Sequence, residues 1–95
     1  MTEREGVKMV MQGNLDMDTV PVLYATGLKH LAGADLHVDF SRVEAVDSAA
    51  VSMLLGWART AQRGQRELRV AGLPDDLLSL ARLYGVDELL PRQSE

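Results

Sequence analysis

The alternation Leu36-His37-Val38-Asp39-Phe40, followed after eight residues by an amphipathic run, constrains this chain more than any other stretch. Three apolar side chains at every second position read as a strand with one buried face. Val51, Leu54, Leu55, Ala58 and Ala61 then recur at helical spacing, so the segment continues into a helix with one buried stripe. Between the two, Ser41-Arg42-Val43-Glu44-Ala45-Val46-Asp47-Ser48 is a connection too short to be a module of its own. Asp47 and Ser48 fall where the helix N-cap belongs, since either side chain can accept from the unpaired N–H groups of a first turn. A strand that feeds a helix in this way presents the first turn at a sheet edge, where α/β domains commonly place function.

The flanking segments fit the same scheme. Val7-Lys8-Met9-Val10-Met11-Gln12 predicts a strand with Val7, Met9 and Met11 on one face and Val10 on the other. Gly6 would turn a weak hairpin with residues 2–4. Gly13-Asn14-Leu15 breaks the alternation, and Asp16-Met17-Asp18-Thr19 offers several helix caps ahead of Pro21. Val20, Leu23, Tyr24, Leu28 and Leu31 mark the buried face of a helix that Gly33 stops. Gly64 closes the long second helix, Glu67 to Ala71 reads as a short strand, and Pro74 and Asp75 open a third helix ending at Gly85. The apolar pair Leu89-Leu90 in the tail is expected to pack on or cap the sheet. Alternating strands and helices imply a partly parallel sheet with right-handed crossovers.

Composition narrows the function classes. With 95 residues the chain reads as one domain, residues 1–95, and its charge of −4 argues against a nucleic-acid binder. It has no cysteine, which excludes disulfides and thiol catalysis and fits a reducing compartment. The polar start Thr2-Glu3-Arg4-Glu5 lacks the apolar core of a signal peptide, and no run approaches the ~20 apolar residues that span a bilayer. A cytoplasmic domain is the expectation.

Enzyme signatures are missing. His30 and His37 are the two histidines and lack ligand spacing on one helix, so no metal site is expected. Asp16-Met17-Asp18 begins like a calcium loop but lacks the glycine and closing glutamate, and reads as helix-capping carboxylates. There is no phosphate-binding glycine loop and no nucleophile elbow, so no cofactor is expected. Arg59, Arg63, Arg66 and Arg69 read as a solvated basic face at a helix end.

Two features admit two readings each. Ser48 is either a plain N-cap, worth ~1 kcal/mol, or a hydroxyl displayed at a helix start where the dipole and free N–H groups favour a phosphate. Met53 and Trp57, four residues apart, lie on a stripe turned away from Val51 and Leu54. Exposed, that stripe is a partner-binding surface; covered by a neighbouring helix, it is core. Ser52, Gly56 and Arg59 form the polar remainder, and Gly56 allows close approach of another backbone.

Taken together, Gly13-Asn14-Leu15-Asp16, Val38-Asp39-Phe40-Ser41, Val46-Asp47-Ser48 and the later Gly64 and Leu68 to Val70 resemble the STAS domain family in order and over almost the whole length. The resemblance implies a single α/β domain with a mixed, mostly parallel four- to five-stranded sheet packed by three to four helices. Asp39 to Val43, Val46-Asp47-Ser48, Leu80 to Tyr84 and Leu90-Pro91-Arg92 are most similar to the small STAS subunit of the bacterial Mla phospholipid ABC transporter. That likeness implies a non-catalytic adaptor that binds the transporter's ATPase subunit through Asp47, Ser48, Ser52, Met53 and Trp57. Membrane contact would then be indirect, through the transporter. The alternative is an anti-sigma-factor antagonist, in which a partner kinase phosphorylates the matching serine, here Ser48. This sequence carries Ala49-Ala50 where that group usually has a small residue and glycine, and two added methyl groups would crowd an approaching kinase.

Overall fold

Val7, Met9 and Met11 of the first strand and Leu36, Val38 and Phe40 of the second fall at every second position, and the computed structural model, which describes residues 6–85, packs them into one core with the helices. The elements run β1 (Gly6–Leu15), α1 (Val20–Leu31), β2 (Asp35–Val46), α2 (Ser48–Gly64), β3 (Leu68–Ala71) and α3 (Asp75–Leu83). The sheet order is β1-β2-β3, and both neighbour pairs are parallel. Leu36, Val38 and Phe40 on the central strand are buried between Met11 on one side and Leu68 and Val70 on the other. The opposite sheet face stays open among the described residues, with Lys8, His37 and Arg69 side by side in one cross-strand row.

The α/β class agrees with the expectation, and the strand count is lower. Among the described residues the sheet has three strands, all parallel, and three helices cover it. The proposed first strand at residues 2–4 and the apolar tail at residues 86–92 lie outside the described residues.

Two strands are longer than the alternation suggests. Gly13 to Leu15 still belongs to β1, and Ser41 to Val46, read as a connection, pairs with it as the second half of β2. The register shifts between Val10 and Gln12 and again between Gly13 and Asn14, where β2 carries one extra residue each time. Each bulge moves the following side chains to the other face, so the period-two signal is lost although the pairing continues.

The helix ends are also instructive. α2 stops at Gly64, but the left-handed residue is Gln65, with φ 56°. The chain then turns back by a bond from the Arg66 N–H to the Ala61 carbonyl at 2.8 Å. Asp35, buried at the start of β2, accepts from the Glu67 N–H at 2.9 Å and so fixes where β3 begins.

Candidate functional site

In a parallel sheet all strands finish at one edge, and ligands and partners meet an α/β domain there. At that edge β1 leads into Asp16 to Thr19, β2 into Asp47, and β3 into Gly72 to Pro74. The Asp47 N–H donates to the Leu15 carbonyl at 3.1 Å, which ties the start of α2 to the end of β1. The neighbouring loop is laced by its own side chains. Asp16 Oδ1 accepts from the Asp18 N–H at 2.9 Å, while Thr19 Oγ1 accepts from the Asp16 N–H at 3.0 Å and donates to the Asn14 carbonyl at 2.9 Å. These groups, read from sequence only as cap candidates, hold a rigid rim beside Asp47. The Asp-x-x-Thr spacing after a strand is the signal that carried them.

Asp47, and not Ser48, caps α2. Its backbone is extended, its Oδ1 accepts from the Ala49 N–H at 2.8 Å, and its carbonyl accepts from the Ala50 N–H at 3.1 Å. The cap is therefore Asp47, and Ser48 is the first helical residue. Ser48 is exposed, and its hydroxyl has no hydrogen-bond partner among the described residues. The plain N-cap reading of Ser48 does not hold. Ser52 is exposed one turn further along the same face.

Met53 and Trp57 require a correction. They are 1% and 0% exposed, so neither belongs to a surface of this domain. A second apolar stripe on α2 exists because α1 packs beside it: Gly27 of α1 leaves room for the indole of Trp57, and Gly56 of α2 leaves room for the ring of Tyr24. The indole N–H donates to the Tyr24 carbonyl at 3.0 Å. The close approach expected at Gly56 is thus internal.

The crowding argument at Ala49-Ala50 also changes. Ala50 is fully buried, so its methyl group faces the core, and only the half-buried Ala49 adds bulk near Ser48.

Electrostatics single out one carboxyl. The Ser41 N–H donates to Asp39 Oδ1 at 2.9 Å, and this bond, the Ser41 hydroxyl and then Lys8 and Arg42 hold the Asp39 carboxyl below its ordinary value. It lies on the open sheet face in the depression lined by Lys8, His37 and Arg69, while the Arg69 guanidinium pairs with Glu67 at 3.1 Å. Among the described residues no three His, Cys, Asp or Glu side chains gather as a metal site, and no helix is long and apolar enough to cross a membrane.

Comparison with known proteins identifies the family and the fold. The family described as "Mlab, STAS domain" matches residues 2–91. The intermembrane phospholipid transport system binding protein MlaB of Escherichia coli is 28% identical over 92% of this chain and 90% of its own. The anti-sigma-B factor antagonist of Staphylococcus aureus is 24% identical over 94% of this chain and 84% of its own. Among solved structures, the unphosphorylated anti-sigma factor antagonist SpoIIAA superposes with a TM-score of 0.78 at 19% identity, covering all of this chain (100%) and 85% of that one. At that identity it shows the shared fold.

Proposed function

The chain belongs to the STAS domain family, and from that premise we propose that it is a non-catalytic adaptor for an ABC transporter of phospholipids. It docks on the transporter's ATPase subunit through the start of α2, with Asp47 shaping the turn and Ser48 and Ser52 meeting the partner. Its membrane association is peripheral and indirect, through the transporter, and it serves the lipid asymmetry of the outer membrane. The observation that carries this reading is the free, exposed Ser48 hydroxyl, released from capping by Asp47. Similarity to MlaB across nearly the whole of both chains supports the choice of partner.

A second reading keeps the same residue. A serine at a helix start is a place where a phosphate is favoured, and the buried Ala50 methyl does not obstruct it. Together with the similarity to an anti-sigma-B factor antagonist, this supports a switch in which a kinase phosphorylates Ser48.

Affinity capture of the tagged protein from its own cells, with the intact mass of the bait recorded, separates the two. Recovery of an ABC ATPase with unmodified bait is the expected result. A small ATP-binding kinase, with bait heavier by one phosphate, overturns the adaptor reading in favour of the switch. Recovery of neither overturns both. Ser48→Glu then checks the surface itself: it should weaken capture of the ATPase while the circular dichroism spectrum stays unchanged.

A further inference from the structure

The outward face of α1 has no role in the reading above. Its inward residues Val20, Gly27 and Leu31 are buried, while Val22 on the far side is 71% exposed. Pro21, Val22, Ala25, Thr26 and Lys29 line a shallow hollow on that far side. The Thr26 hydroxyl donates to the Val22 carbonyl within the helix at 2.9 Å, so Thr26 adds an apolar flank. No acidic residue occupies the first turn of α1. The outward face is therefore uncharged from Pro21 to Thr26.

Charges bound this face at its two ends, with opposite sign. Asp18, Val22, Ala25 and Lys29 succeed one another at steps of four, three and four residues, the spacing of one helical stripe. Asp18 precedes the helix, but the Val20 N–H already bonds to the Asp16 carbonyl at 2.9 Å, so the turn before α1 is wound in helical register. Asp18 and Lys29 are exposed and have no ion-pair partner among the described residues.

From this arrangement we infer that the α1 face is a docking surface for a second copy of the chain, packed antiparallel about a two-fold axis midway between Val22 and Ala25. That operation sets Val22 of each copy against Ala25 of the other, and Asp18 of each against Lys29 of the other. The stripe is self-complementary only in this sense. A parallel arrangement would place Asp18 against Asp18 and Lys29 against Lys29. The Trp57 contact fixes the opposite side of α1 against α2.

One helix face per copy is less than the ~800 Å² a stable complex buries on each partner, so the dimer is weak and forms only in concentrated protein. Sedimentation equilibrium on the full chain, from about 10 µM to about 1 mM, tests it. The average mass should rise from monomer towards dimer. Asp18→Lys and Lys29→Glu should each weaken association about tenfold, and the double variant should restore it to within about twofold. Net charge alone cannot imitate that pattern, because from −4 the two single changes move it in opposite directions and the double change leaves it unaltered.

Val22→Glu, at an exposed position, should abolish association without disturbing the fold. A monomer at about 1 mM overturns the inference, as does a dimer indifferent to the single charge changes or one the double change fails to restore. A monomer whose Val22 and Ala25 amide resonances shift only on adding phosphatidylglycerol vesicles also overturns it, assigning the face to a lipid surface.

Discussion

Trp57 donates its indole N–H to the carbonyl oxygen of Tyr24 at 3.0 Å, and the ring of Tyr24 lies over Gly56 on the helix that carries Trp57. The contact is reciprocal, because the indole itself rests on Gly27 of α1. Each helix offers an aromatic ring to a glycine of the other, which lets two backbones approach closely and buries the largest side chain of the protein. A tryptophan locked between two helices is unavailable to a partner, so the contact proposed for the start of α2 would rest on Ser48 and Ser52.

The lock predicts an asymmetry between its two glycines. A methyl group at Gly27 would clash with the indole ring of Trp57, whereas at Gly56 it would meet the hydroxyl end of Tyr24, the far end of a half-buried side chain. Gly27→Ala should therefore cost about 2 kcal/mol, despite the better helix propensity of alanine, and Gly56→Ala distinctly less. Urea midpoints at unchanged slope measure both. Equal losses would mean that the indole moves aside as easily as the tyrosine hydroxyl.

Gly72 makes a second stability prediction, at the edge that carries Ser48. Its φ is +68°, and an added Cβ would lie 2.9 Å from the Ser41 N. The loop from β3 to α3 crosses β2 at that point, so both the backbone conformation and the space require glycine. Gly72→Ala should cost about 2 kcal/mol and lower Tm by roughly 10 °C in a domain of this size. A scanning calorimetry trace within about two degrees of the native one would contradict it.

Sequence periodicity revealed the fold where packing is regular and lost it where the backbone departs from regularity. Leu36, Val38 and Phe40 keep strict alternation and were legible as the central strand. Val43 and Val46 belong to the same strand, but one bulge precedes Val43 and two precede Val46, so no single period runs through the whole strand. At the helix end, Gly64 is the expected stop because glycine tolerates a left-handed backbone, yet Gln65 adopts it. In the candidate site, the turn at Asp47 and Ser48 was legible, but the division of labour between them was not. Either side chain can cap a helix, and only the three-dimensional backbone shows which one does. Met53 and Trp57 could not be assigned from α2 alone, since their burial comes from α1, a partner distant in sequence.

Asp39 supplies a pH prediction whose sign follows from its hydrogen bonds. The Ser41 N–H and hydroxyl, then Lys8 and Arg42, lower its folded-state value below the ordinary 3.8, so the folded chain binds that proton less readily than the unfolded chain. The resulting stabilisation is complete above the unfolded value and is lost as pH falls through the lowered one. Asp39→Asn should reduce stability at neutral pH, and the gap between variant and native protein should close as pH drops through the region below 3.8. Denaturation midpoints of both proteins against pH give the comparison. A gap that widens in acid would reverse the assignment.

The adjacent residues Asp47 and Ser48 should separate stability from recognition. Asp47→Ala removes the acceptor of the Ala49 N–H and should cost about 1 kcal/mol. Ser48→Ala removes a hydroxyl without a hydrogen-bond partner among the described residues, so stability should stay within about 0.5 kcal/mol of native. Binding should show the reverse order. With the ATPase subunit as titrant, Ser48→Glu should weaken affinity about tenfold or more, because a charge replaces a small hydroxyl at the contact. Asp47→Ala, measured under conditions where it remains folded, should weaken it less. A Ser48→Glu protein that binds as tightly as the native one would remove the start of α2 from the interface, whatever its stability.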